Sequence, residues 1–151
     1  MPSQATSYFY TLVAMGAVAL MLTNAFEIQA SSLKSESERR ELGRLLETVA
    51  SEGTELVALT QTTGATTRAC IRFPTMIGTK HYWVRLKSEG SGAWVEGGFG
   101  EPWVGEPRFR VELPGGISAS GTYRGGYGTL SLTCELQGSG TVLTLGRWEV
   151  G

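Results

Sequence analysis

Residues 8–26 read YFYTLVAMGAVALMLTNAF, without one charged side chain. A hydrocarbon core ~30 Å thick is crossed by about twenty mostly apolar residues in helical form. In lipid the backbone must satisfy its own hydrogen bonds, and a single segment does so only as a helix. Three structures accommodate such a run: a retained membrane helix, a cleaved secretory signal, or a helix buried in a soluble core. A signal usually has a basic n-region, a shorter apolar core and small residues before the cut. Residues 1–7 carry no Lys or Arg, and the run is long, although Thr23 and Ala25 fit the small positions before a cleavage point. A membrane-spanning helix over residues 1–27 is therefore the expectation. Tyr8, Phe9 and Tyr10 cluster at one end, as an interfacial aromatic belt would, or serve simply as apolar bulk. Ala14, Gly16, Ala17 and Ala19 are small enough to let another helix approach closely, where packing drives association in lipid.

Residues 28–62 read as an amphipathic helical extension. Leu42, Leu45, Leu46, Val49 and Ala50 recur at i, i+3, i+4, i+7 and i+8, which puts them on one face. Glu38, Arg39, Glu41 and Glu47 are expected mostly elsewhere, and the apolar face resumes with Leu56, Val57 and Leu59. Gly53 is expected to mark a kink or the helix end, because glycine costs ~1 kcal/mol against alanine inside a helix.

Beyond residue 63 the period becomes two. Thr67, Ala69, Ile71 and Phe73 alternate with Arg68, Cys70 and Arg72; Tyr82, Val84 and Leu86 alternate with His81, Trp83, Arg85 and Lys87. Phe109, Val111 and Leu113 alternate with Arg108, Arg110 and Glu112, and Leu130, Leu132, Cys134 and Leu136 share another face. Glycine supplies 21 of the 151 residues, and turns such as PGG, RGGYG and QGSG separate the runs. Alternation with regular turns predicts an antiparallel β-sandwich of about seven short strands over residues 63–151. The fold class is thus α+β, a long helix ahead of a β-domain, with the apolar helical face covering part of the sheet.

Composition excludes several function classes. A net charge of −1 with mixed signs lacks the basic patch that nucleic acid requires. His81 is the one histidine, so zinc-ligand spacing is missing and no metal or cofactor is expected. In an exported domain Cys70 and Cys134 invite a disulfide reading, but regular alternation points the two side chains to opposite faces, and a bridge needs compatible Cβ vectors; the alternative is one buried thiol and one exposed or helix-covered thiol. Trp83, Trp94, Trp103 and Trp148 read either as a carbohydrate-stacking surface, with Trp83 and Trp94 on polar faces, or as rings covered by protein. Glu96, Glu101 and Glu106 lie near Gly-rich turns and read as solvated carboxylates before an acid pair. GGFGEPWVGEP has no Lys-Ser/Thr ending and follows no βα pattern, so it is not a phosphate cradle.

One segment carries a resemblance. FPTMIGTKHYWVRL, residues 73–86, has a strand ending in proline, an Ile-Gly step and a Tyr-containing strand at Pro74, Ile77, Gly78 and Tyr82, followed by Val84 and Leu86. With the N-terminal hydrophobic helix and the terminal β-domain, it resembles the archaeal type IV pilin-like proteins: pilins, archaellins and accessory archaellum proteins. The resemblance implies a non-enzymatic subunit of a cell-surface assembly, with partners in membrane lipid, other pilin-like subunits or a surface-layer protein. The alternative is a membrane-anchored extracellular binding module for glycans or a surface-layer protein, using Trp83 and Trp94. Lys34, Arg39, Arg40 and Arg44 follow the helix and nothing basic precedes it; a positive-inside count leaves the C-terminus in the cytoplasm, whereas the resemblance implies an exported β-domain.

Overall fold

The computed structural model describes residues 3–101, 107 and 109–148. Helix α1 covers Ser3–Thr63, followed by β1 (Thr67–Ile71), β2 (Tyr82–Glu89), β3 (Gly92–Phe99), β4 (Phe109–Glu112), β5 (Ile117–Arg124), β6 (Leu130–Gln137) and β7 (Gly140–Arg147). One long helix thus precedes a seven-stranded, mostly antiparallel sheet, an α+β arrangement. The chain divides into two compact units, Met1–Ser37 and Glu38–Gly151. The first is described only by its helix.

In the second unit the strands form one continuous sheet, β1-β6-β7-β5-β2-β3-β4, where alternation alone predicted two stacked sheets. The physical reason is that α1 supplies the second layer. Leu42, Leu46, Val49, Leu56 and Val57 join the same buried cluster as Tyr82, Val84, Leu86, Val95, Ile117, Leu132 and Leu143. A sheet face has to be buried against something, and a helix does this as well as another sheet.

The helical contact stripe recurs every three or four residues, through Leu42, Leu46, Val49, Gly53, Leu56 and Thr60. It corrects three expectations. Gly53 does not end the helix, which runs on to Thr63; it is a point of close approach, where a Cβ would stand 3.1 Å from Leu143 Cδ2. Leu59 is 45% exposed, and Thr60 takes the buried position, its hydroxyl 2.6 Å from Thr67 Oγ1. Glu38 lies on the buried stripe, one turn ahead of Leu42, rather than on the solvent side. The helix closes where Gly64 N–H donates to Thr60 O at 2.8 Å.

Strand alternation is as expected for most residues. Inward positions on β2, β5 and β6 are buried, although Leu136, at the end of β6, is exposed. All pairings are antiparallel except β5 with β7, which run parallel. Gly121, opposite Leu145, makes this approach feasible: a Cβ there would lie 2.0 Å from the Leu145 carbonyl oxygen, and its φ of +123° is one that side-chain-bearing residues avoid. Gly43, by contrast, is helical with nothing near its missing Cβ. Gly121→Ala is therefore expected to lower stability by at least about 2 kcal/mol through strain, while Gly43→Ala raises it by ~0.5–1 kcal/mol. Denaturant unfolding of the full chain in detergent, followed by tryptophan fluorescence, measures both.

Candidate functional site

The first candidate surface is the apolar helix itself. A helical window with mean hydropathy 1.7 begins near the N-terminus, and none of it is buried. Leu12, Val13, Met15, Val18, Leu20, Met21 and Leu22 are all exposed. The hydroxyls in this stretch satisfy themselves: Thr11 Oγ1 donates to Ser7 O at 2.9 Å and Thr23 Oγ1 to Ala19 O at 3.0 Å. Such back-bonding removes the penalty for a hydroxyl in hydrocarbon. Phe9 and Tyr10 meet edge to face, with ring centroids 6.4 Å apart. Of the four small residues, Ala14 and Ala19 border a shallow apolar recess with Thr11, Met15, Val18 and Leu22; Gly16 and Ala17 do not line it. The helix is therefore long and apolar enough to cross a membrane.

The second candidate lies within the β-bearing unit, where the loop between β1 and β2 meets α1. Ile77 and Lys80 exchange backbone hydrogen bonds of 3.1 and 3.0 Å. Gly78 occupies the first central position of this turn with φ +61°, as a type II′ turn requires. A Cβ on Gly78 would stand 2.5 Å from Glu38 Oε1, so the same glycine makes the turn and leaves room for the carboxylate. Glu38 is 4% exposed. Lys80 Nζ stands 2.6 Å from its Oε2, an ionic contact rather than a well-directed hydrogen bond, and Oε1 has no hydrogen-bond partner among the described residues. Ile77 is fully buried, and Tyr82 OH donates to Pro74 O at 2.6 Å. Pro74, Ile77, Gly78 and Tyr82 thus form one fastening of loop to core. Burial first, then the charge of Tyr123 and Glu41, pushes the Tyr82 phenol upward, so it stays a neutral donor. Leu42, Leu46 and Val49 are fully buried in this unit, and Leu45 is partly buried against the same cluster.

The third candidate is the sheet face turned away from α1. Trp83 and Trp94 do lie there, but neither offers a bare ring. Trp83 is 0% exposed and packs over Gly98, whose Cβ would be 3.0 Å from the indole. Trp94 is 9% exposed, with the Arg110 guanidinium 3.9 Å from the ring centroid. A cross-strand network joins them. Glu96 Oε2 accepts from Trp94 Nε1 at 3.0 Å, and Oε1 accepts from Arg85 Nε at 2.6 Å, with Lys87 Nζ 3.6 Å away. Burial alone would raise the Glu96 carboxyl; the hydrogen bonds from Trp94 and Arg85 and the two cations outweigh it and hold the group below its ordinary value of 4.5. Glu101 accepts from Arg124 at 2.6 Å, so Glu96 and Glu101 each answer a separate cation. Glu106 and Trp103 lie outside the described residues.

The cysteines are unpaired, against the disulfide reading. Cys134 faces the core opposite Thr67, and Cys70 is exposed opposite Ser131. Their faces are opposed, as the alternation required. Among the described residues no three His, Cys, Asp or Glu side chains converge. Glu38 was missed by sequence reasoning, although the 3–4 spacing that runs back from Leu42 already includes it.

Comparison of the chain with family models, curated proteins and solved structures finds no match.

Two outcomes follow from the buried carboxylates. Glu96 has a depressed folded value, so its contribution is present above about pH 4.5 and is lost as pH falls through the folded value. Glu96→Gln should cost about 3 kcal/mol at pH 7 and flatten the acid limb of stability measured from pH 7 to 2. Lys80→Ala leaves Glu38 buried without its cation and should cost about 1–3 kcal/mol, whereas Glu38→Leu on the same apolar stripe should be neutral or stabilising. Thermal melts of the two variants decide the order.

Proposed function

We propose that the protein is a structural or accessory subunit of an archaeal type IV pilus-like or archaellum-like cell-surface assembly. It is anchored by its N-terminal helix, holds its β-domain outside the cell and acts without catalysis or cofactor. The observation that carries this reading is the helical window of mean hydropathy 1.7 with no part buried. An apolar surface of this extent needs lipid or other apolar helices around it. The Pro74, Ile77, Gly78 and Tyr82 fastening supports the likeness to the pilin-like β-domain. The alternative, an anchored module that holds glycans or a surface-layer protein on Trp83 and Trp94, is weakened because both rings are covered.

Two measurements on cells producing the chain test the proposal. Cys70 is exposed and Cys134 is buried, so a membrane-impermeant maleimide applied to intact cells should label the native chain at Cys70 alone. Labelling only after lysis places the β-domain inside and rejects the exported reading. For assembly, Ala14→Cys and Ala19→Cys chains should yield helix-to-helix cross-links in native membranes. Strictly monomeric products sink the subunit reading.

A further inference from the structure

A polar recess of about 300 Å³ opens on the sheet face opposite α1, across β1, β6 and β7. Its size suits one sugar-sized unit. Its construction is unlike the rest of that face. Two guanidinium groups, Arg68 and Arg147, border it, and no carboxylate lines it among the described residues. Neither arginine has an acidic partner among the described residues. This contrasts with Arg85, Arg110 and Arg124, each of which is paired with a glutamate.

The remaining lining supplies hydrogen bonding and a ring. Ser131, Thr133 and Thr144 present hydroxyls. Arg68 Nε donates to Thr133 Oγ1 at 3.2 Å, and its guanidinium stands 5.4 Å from the Trp148 ring centroid, so the charge is oriented before any ligand arrives. Trp148 is held by its backbone N–H donating to Thr129 O at 2.8 Å, yet the residue is 37% exposed. Gly146 completes the recess. It lies opposite Ser131 on β7, has no positive φ, and a Cβ there would meet nothing within 4 Å. The space therefore results from a missing side chain at a position where backbone geometry does not demand glycine.

We propose that this recess binds an acidic saccharide unit, a uronate or a sulfated sugar. The Arg68 guanidinium, oriented by Thr133 and Trp148, and the neighbouring Arg147 suit a carboxylate or sulfate by charge-assisted hydrogen bonds. The three hydroxyls suit sugar hydroxyls, and the exposed indole suits the apolar C–H face of a pyranose. A nucleic-acid backbone fits less well, because two cations without a wider basic stripe make a weak phosphate footprint. The inference goes beyond the anchored-subunit reading and does not depend on it, since binding needs neither a membrane nor a second subunit.

The test is calorimetric titration of the full chain in a polyoxyethylene detergent, which carries no sugar. The probes are trigalacturonate, a glucuronate-containing trisaccharide, a sulfated galactose trisaccharide, neutral galactotriose, sodium phosphate and a single-stranded oligonucleotide. At least one acidic trisaccharide should bind at least tenfold more tightly than neutral galactotriose and phosphate. Gly146→Val, which fills the recess in a conformation that strands favour, and Arg68→Gln, on the exposed edge strand, should each weaken that binding at least tenfold with unchanged melting temperature. Should one variant melt early, the other carries the comparison. Equal binding of galactotriose, phosphate binding as tight as the best saccharide, tighter oligonucleotide binding, no binding by any acidic trisaccharide, or binding untouched by both variants overturns the proposal.

Discussion

The second unit depends on one contact, the stripe of α1 laid against the inner face of the sheet. Leu42, Leu46, Val49, Leu56 and Val57 close a core whose other wall is drawn from β2, β3, β5, β6 and β7, with partly buried side chains of β1 and β4 packed against it. Without this helix the inner side chains of a single sheet would face water. Burying that apolar surface contributes about 25 cal/mol per Å², which the sheet gains only where the helix covers it. Helix and sheet are therefore one cooperative layer pair. The approach is close because Gly53 and Gly97 lack side chains where the layers meet; a Cβ on Gly97 would lie 2.8 Å from Leu46 Cδ2.

Much of this was legible in the sequence. The change from a period near 3.6 to a period of two located α1 and most strands, and alternation assigned Tyr82, Val84, Leu132 and Cys134 to the core. The same alternation put the two sulfurs on opposed faces. What was not legible depended on long-range partners. Nothing in residues 117–124 or 140–147 signals that β5 and β7 run parallel, because register between distant strands is a tertiary choice. The sandwich expectation failed for a related reason: alternation shows that a face is buried but not whether sheet or helix covers it.

Polar residues were the harder part of the candidate sites. Glu38 and Glu96 are both nearly buried, and sequence reasoning placed each in water because isolated glutamates usually are. Their burial is tolerated through cations that arrive from elsewhere in the chain, Lys80 for one and Arg85 with Lys87 for the other. Trp83 and Trp94 were assigned to the correct face, but exposure depended on Gly98 and Arg110 lying beside them. Face is a local property of a strand, whereas cover is not.

The strand order carries a consequence for how the sheet is made. β7 is the last strand in sequence yet lies between β6 and β5. Before it arrives, β5-β2-β3-β4 and β1-β6 are two separate fragments, each with an unpaired interior edge. A ribosome that has not yet released β7 therefore holds two open edges, the condition in which strands recruit foreign chains. Completion of the sheet waits for β7, which pairs with β6 through a tight hairpin and with β5 across one intervening strand. The final strand works as a keystone: it locks the two fragments and removes both hazards in the same step.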